Sequence, residues 1–263
     1  MSKLTVLVTT MHQSDMRKYS EMNLQTDAVI ANQTDRDALD TQVIDGCRVQ
    51  LVSTATRGTS RNRNIALAHA DQAAEYLMFA DDDLVFESGY EEKILAEFEA
   101  HPEAEAIKFN IHDLSNERKL SMRRIEKFEK ATRRNMSASG VFALVFRSHV
   151  LKKLSLHFNE AFGPGTEDYC GEDTIFLMAL LDKKAKVYRS PVDIAGIDQT
   201  ESSWCTGIDE KFFFVKGKVL KMIYPRLARL LAIRSAFRFS RKKACPMKFG
   251  KILKCYLKGI KAK

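Results

Sequence analysis

The chain has 263 residues, 45% hydrophobic and 29% charged, with a formal net charge of +8. That length fits one large domain or one domain with an appendage, and the apolar share excludes wholesale disorder. No apolar run approaches the ~20 residues of a membrane-spanning helix; the opening residues lack the flanks of a signal peptide; and five scattered cysteines without a CxxC pair argue for a reducing cytoplasm over a disulfide framework or zinc finger.

Short apolar runs alternate with helical patterns, as in a βαβ-type sheet. Residues 4–10 read as a buried first strand, 28–31 as a second and 48–53 as a third. Residues 59–74 read as a helix, and 75–80 as a strand ending at three aspartates. A helix over 90–100 is stopped by Pro102, and 106–111 is another strand. The polar stretch 113–135 reads as a solvated helix or loop. The apolar run 140–146, a short helix from Ser148, a Gly/Pro-rich loop at 162–166 and a buried helix around Ile175 to Leu180 complete the body. From Lys211 to Lys263 there are 17 Lys and Arg and no acid, whereas residues 1–210 hold 25 bases and 34 acids. The composition boundary falls near Glu210, between a 1–210 domain and a 211–263 tail.

Three segments carry chemistry. In residues 76–86 an apolar strand delivers Asp81, Asp82 and Asp83 to its C-terminal end, where α/β sheets place ligands. Strand alternation puts Asp81 and Asp83 on one side. A divalent cation would offset their mutual repulsion, and a helix cap or solvated turn is the plainer reading. In residues 57–70, Gly58 allows a turn, Thr59 or Ser60 can cap a helix, and Arg61 and Arg63 place cations in a first turn that favours anions. In residues 163–177 a Gly/Pro-rich loop leads to Glu172 and Asp173, which are either dipole-favoured acids or a general base held over a cleft.

In this order the segments resemble inverting nucleotide-sugar glycosyltransferases of family 2. The resemblance covers roughly residues 4–200 and rests on Thr9-Thr10-Met11 after the first strand, the Gly58, Ser60, Arg63, Asn64 helix and the Asp81/Asp83 pair, together with the 137–151 segment, Phe158-Asn159-Glu160-Ala161-Phe162, and Glu172-Asp173. It implies an α/β fold of the GT-A (Rossmann-like) type, a mixed sheet flanked by helices, with the basic helical C-terminal tail outside it. It also implies a nucleotide-sugar donor, with UDP-sugar favoured, held by Thr9, Thr10, Met11, Asn32, Gln33, Gly58, Ser60, Arg63, Asn64 and Asp81. Asp81 and Asp83 would hold Mn²⁺ or Mg²⁺, Arg63 would stabilise the departing diphosphate, and Asp173 would be the base with Glu172 beside it. None of the six histidines has a part in this scheme.

Two departures stand out. Asn32 and Gln33 occupy the positions of the usual acidic pair, so an amide oxygen would accept the base N–H. Residues 195–205 lack the histidine that many relatives supply, leaving Asp198, Glu201, Ser202 or Ser203 as substitutes; Trp204 is a packing or sugar-stacking residue. In the tail, apolar residues at helical spacing with Lys and Arg suit an anionic membrane surface, above all over 238–263, while 211–235 equally suits packing on the acidic body. The acceptor is then a glycan or lipid-linked sugar met at the cytoplasmic face, as in bacterial surface-polysaccharide assembly. A metal-dependent nucleotidyltransferase or phosphohydrolase built on the aspartates is the enzyme alternative. A nucleic-acid-binding protein using the tail is disfavoured by the acidic body.

Overall fold

The computed structural model describes residues 2–71, 73–114, 124–137, 139–197 and 208–262. In chain order the first half comprises β1 (Leu4–Met11), α1 (Arg17–Glu21), β2 (Asp27–Gln33), β3 (Ala38–Ile44), β4 (Cys47–Thr54), α2 (Thr59–His69), β5 (Tyr76–Asp81), β6 (Leu84–Phe86) and α3 (Tyr90–Ala100). The second half comprises β7 (Ala106–Asp113), β8 (Glu129–Lys130), α4 (Arg133–Met136), β9 (Leu144–Arg147), α5 (Ser148–Lys153), α6 (Glu172–Asp182), β10 (Val187–Ile197), α7 (Glu210–Ile223), α8 (Ala228–Ser240) and α9 (Phe249–Lys261). The strands form one sheet in the order β3-β4-β2-β1-β5-β9-β7-β10-β6, with β8 also on β10. β4, β2, β1 and β5 run parallel, and β9 lies antiparallel between β5 and β7. The sheet is therefore mixed.

Strands covered on both faces read as nearly unbroken apolar runs, and β1 and β5 are of that kind. Alternate residues feed two cores. Val6, Val8 and Met78 meet Ile94 and Phe98 of α3 on one face, and Leu7, Phe79 and Phe146 meet Phe176 and Leu177 of α6 on the other. Phe79 stands edge-on to both Phe158 and Phe176, which stack on each other at 4.2 Å.

Several boundaries differ from the sequence expectations. The helix read over 59–74 stops at His69, because Ala70 turns to an extended conformation. β3 is an additional hairpin strand joined to β4 through Asp45 and Gly46, both at positive φ; an Asp-Gly pair is the usual chemistry of such a turn. Only 144–147 of the apolar run around 140–146 is strand, since Ala143 is left-handed at φ 53° and bends the chain. Within the polar stretch after Asp113, the described part holds β8 and the capped helix α4, whose Thr132 and Asn135 form a reciprocal capping box.

α7 begins at the composition boundary and belongs to two cores. Its Val215, Val219 and Ile223 complete the α6 side of the body, while Phe213 joins Ala232, Ala236, Ile252 and Tyr256 in a separate cluster of the C-terminal helices. α7 and α9 cross at Gly217 and Gly259, where a Cβ on Gly259 would lie 1.9 Å from the Phe214 carbonyl oxygen. Among the described residues no helix is long and apolar enough to cross a membrane.

Candidate active site

Because β1, β2 and β5 run parallel, their C-terminal ends share one edge, and the register pairs Thr9 with Asp81, Thr10 with Asn32 and Met11 with Gln33. The strand ends at Asp81, and Asp82 and Asp83 form the turn into β6. Strand alternation therefore does not govern Asp83, contrary to the same-side reading from the sequence; three consecutive carboxylates are accommodated by turning the chain instead. Thr9 Oγ1 donates to Asp81 Oδ1 at 3.3 Å, and the Thr10 hydroxyl donates to Asp82. Burial, with Asp81 and Asp82 nearby, pushes the Asp83 carboxyl up to about 6. Its Oδ1 is buried without a hydrogen-bond partner among the described residues. An orphaned carboxylate oxygen in the field of two further acids suits a hard divalent cation with oxygen ligands. Among the described residues no cluster of three or more His, Cys, Asp or Glu is placed to hold a metal by itself, so the remaining ligands would have to be phosphate oxygens and water, as Mg²⁺ commonly takes them.

The centre of the site is Arg63, 1% exposed. Its Nη2 donates to Asp81 Oδ1 at 2.9 Å and its Nη1 to Asp173 Oδ1 at 2.5 Å, while Glu172 Oε1 lies 3.9 Å away. The guanidinium also sits 5.2 Å from the centroid of the Phe158 ring. Burial opposes its charge, but Asp173, Asp81 and Glu172 outweigh that and raise its pKa. One guanidinium thus ties the strand-end carboxylates to the start of α6.

The rest of α2 serves the loop before α6. Ser60 Oγ donates to the Phe162 carbonyl at 2.6 Å, and Asn64 exchanges hydrogen bonds with the Phe158 backbone. Gly58, at φ +113°, donates its N–H to Gln33 Oε1 at 2.7 Å, and Thr59 donates its N–H to the Pro164 carbonyl. Two amide groups at the start of α2 are therefore already committed within the protein. Asn32 is committed as well. Its Oδ1 accepts the Gln13 N–H, and its Nδ2 donates to the Gln13 carbonyl and to Ser53 Oγ, each at 2.9 Å. Beside these two amides lies a cleft of about 370 Å³ lined by Gln13, Thr34, Asp35, Ser53 and Arg57. Asp35 brings a carboxylate to the end of β2, two residues beyond the pair singled out in the sequence.

At the head of α6, neighbouring residues point in different directions. The Glu172 side chain is 5% exposed and that of Asp173 22%. Burial first, and Asp173 second, push Glu172 up to about 7. Asp173 is raised too, burial outweighing the Arg63 cation that holds it down, and its Oδ2 accepts the Val141 N–H at 3.3 Å. Asp168 is instead paired with Lys218 of α7. A further residue, not anticipated from the sequence, is Lys108 on β7. It is buried, donates to the Phe142 carbonyl, and is pushed down to about 7 by burial despite Asp173 and Asp81. A lysine inside the apolar strand AIKFNI was the available signal. Asp198, Glu201, Ser202, Ser203 and Trp204 lie outside the described residues.

Crystal structures of S. aureus TarS share this fold. For TarS 1-349 in complex with UDP-GlcNAc the TM-score is 0.62 at 15% identity, covering 98% of this chain and 72% of that one. For the complex with UDP the TM-score is 0.59 at 16% identity, covering 98% and 71%. Against the TarS structure that is not limited to 1-349 the TM-score is again 0.62 at 15% identity, and the match covers 92% of this chain and 44% of that one. No curated protein matches the sequence. Residues 26–155, which carry β3, β4, α2 and Asp81 to Asp83 but not Asp173, match the family described as Glycosyl transferase family 2. The family match over residues 26–155 and a mixed α/β sheet arranged as in the GT-A fold of TarS together support a family 2 glycosyltransferase.

Proposed function

We propose that the chain transfers a sugar from a nucleotide-sugar to a hydroxyl group with inversion at the anomeric carbon. The observation that carries this reading is Arg63, whose two bonds, at 2.9 Å to Asp81 and 2.5 Å to Asp173, bring a donor-side carboxylate and a candidate base into one constellation. The nucleobase occupies the cleft at the ends of β1, β2 and β4. There Asp35 supplies the acceptor for a uracil N–H, while Asn32 and Gln33 shape the walls. TarS, crystallised with UDP and UDP-GlcNAc, makes a UDP-sugar the first donor to test.

Asp83, with Asp81, would hold Mn²⁺ or Mg²⁺ against the diphosphate, where the ion neutralises charge on the leaving group. Asp173 accepts the proton of the acceptor hydroxyl as that oxygen attacks the anomeric carbon, and the bond to the diphosphate breaks on the opposite face with its electron pair leaving on the nucleotide. A pKa raised by burial suits a base, and Arg63 keeps the carboxylate oriented. Arg63 is therefore a positioning residue, spent on Asp81 and Asp173 rather than turned toward the diphosphate. Glu172 lies behind Asp173 and does not receive the proton. The acceptor is a glycan or lipid-linked sugar, of the kind used in surface-polysaccharide assembly.

The test is thermal stabilisation by UDP with and without Mn²⁺. A ligand bound only by the folded form raises the melting temperature by mass action. UDP with Mn²⁺ should stabilise the protein more than UDP alone, and Asp83→Asn should lose that increment while melting normally without ligand. Equal UDP affinity in both proteins, irrespective of Mn²⁺, overturns the assignment.

A further inference from the structure

The C-terminal helices spend their apolar surface unequally. α9 turns Ile252, Cys255, Tyr256 and Ile260 inward and shows Lys254, Lys258 and Lys261 outward. Its amphipathic face is thus already used, although the sequence pointed to 238–263 as the stronger membrane segment. α8 is built the other way. Ala228, Ala232 and Ala236, with Phe239, form its inner face. Its outer face carries Leu230 at 64% exposure, Phe237 and Leu227 at 52%, and Ile233 at 47%. These residues recur at three- and four-residue spacing, so they form one stripe. Beside and between them stand Arg226, Arg229, Arg234 and Arg238, all exposed and, among the described residues, in no ion pair. No acid occurs from Lys211 to the end of the chain.

We propose that the outer face of α8 docks on a bilayer containing anionic lipid, with Leu227, Leu230, Ile233 and Phe237 entering the acyl boundary and the arginines meeting the headgroups. Charge complementarity selects this occupant. A second copy packed symmetrically, α8 against α8, would bring the same arginines against these, and like charges across an interface repel. A nucleic acid would satisfy the arginines but offers no apolar interior for four large side chains. An anionic bilayer supplies both, and it attracts a helix of this composition lying in the plane of its surface. The proposal does not depend on which sugar is transferred.

The experiment is co-sedimentation of the full chain with vesicles of phosphatidylglycerol and phosphatidylcholine, compared with phosphatidylcholine alone. Wild type should partition onto the anionic vesicles and leave them as salt rises, since surface charge is screened. The pair Leu230→Ser and Phe237→Ser keeps every charge and should lower partition by roughly 10-fold or more. The pair Arg234→Gln and Arg238→Gln keeps the stripe and should also weaken binding. All four positions are exposed, so melting temperature and UDP binding should remain those of wild type and separate a docking defect from a failure of the sugar-transfer reading. Three results overturn the proposal: no partition of wild type onto anionic vesicles, binding by the serine pair as tight as wild type, or a wild-type oligomer that the serine pair dissolves without any effect of lipid.

Discussion

Arginine serves opposite ends in the two halves of this molecule. Arg63 is enclosed, with Asp81 and Asp173 bonded to it and Glu172 within 4 Å, so its charge is cancelled inside the fold. The arginines of α8 stand in solvent, in a segment without acids, so no carboxylate of that segment cancels their charge. Burying a charge is costly unless partners surround it, and around Arg63 three carboxylates from β5 and α6 offset that cost. The same side chain on a surface helix costs little and contributes little to stability. Exposure and partners, more than residue type, separate the candidate site from the proposed docking face.

This contrast can be broken by mutation. Arg63→Met should be the most damaging change, because it strands Asp81, Asp173 and Glu172 without their cation. Removing one partner from a buried ion network costs about 3–5 kcal/mol, whereas Arg238→Gln should change stability by less than about 0.5 kcal/mol. Urea unfolding of the two variants checks both. Similar losses would erase the distinction between the two arginine populations.

Asp173→Asn should leave the fold and UDP binding close to wild type and lower kcat by roughly 10²–10⁴-fold, the usual contribution of a general base. Steady-state kinetics with a UDP-sugar and acceptor analogues would measure it. Retained turnover in this variant, with loss in Glu172→Gln or Asp168→Asn, would move the base to another carboxylate.

Glu172→Gln gives a pH-dependent effect that sharpens the picture of the cluster. Three carboxylates surround one guanidinium, and Lys108, pushed down to about 7, supplies only a partial second cation. Glu172 has a folded pKa of about 7 against an ordinary 4.5, so the folded state holds its proton more tightly than the unfolded chain does. That stabilisation is complete below the ordinary value and is lost as pH rises through about 7. Glutamine does not titrate. Its melting temperature should therefore gain on wild type by roughly 5 °C between about pH 5 and pH 8. A gap that stays constant with pH would mean that Glu172 is ionised throughout.

Much of the fold was legible because burial leaves its period in the sequence. β1, β5 and α3 lie within a residue or two of where their apolar runs and stop signals put them. β3 was not legible in the same way, since most of its residues face solvent and its only strong signal is the Asp45-Gly46 turn. At the site, the order of Arg63, Asp81 and Asp173 along the chain was readable, but their convergence on one guanidinium is a tertiary fact. Asn32 and Gln33 show the limit: an amide in a motif position does not reveal whether its hydrogen bonds go to a ligand or, as here, include Gln13, Ser53 and Gly58. Helical periodicity likewise identified amphipathic tail segments without saying that α9 would turn its apolar side inward and α8 would not.

The double membership of α7 has a consequence for cooperativity. Val215, Val219 and Ile223 are packed with the body while Phe213 is packed with the C-terminal helices, and the Gly217–Gly259 crossing leaves no room for α7 and α9 to slide past each other. Local opening follows units that can separate without tearing a core. Freeing α8 and α9 would strip the α7 residue Phe213 of its partners, and displacing α7 would open the core that Val215, Val219 and Ile223 share with Leu177 and Met178 of α6. Through α7, the C-terminal helices and the body that carries the candidate site share packed side chains, so loosening one is expected to loosen the other.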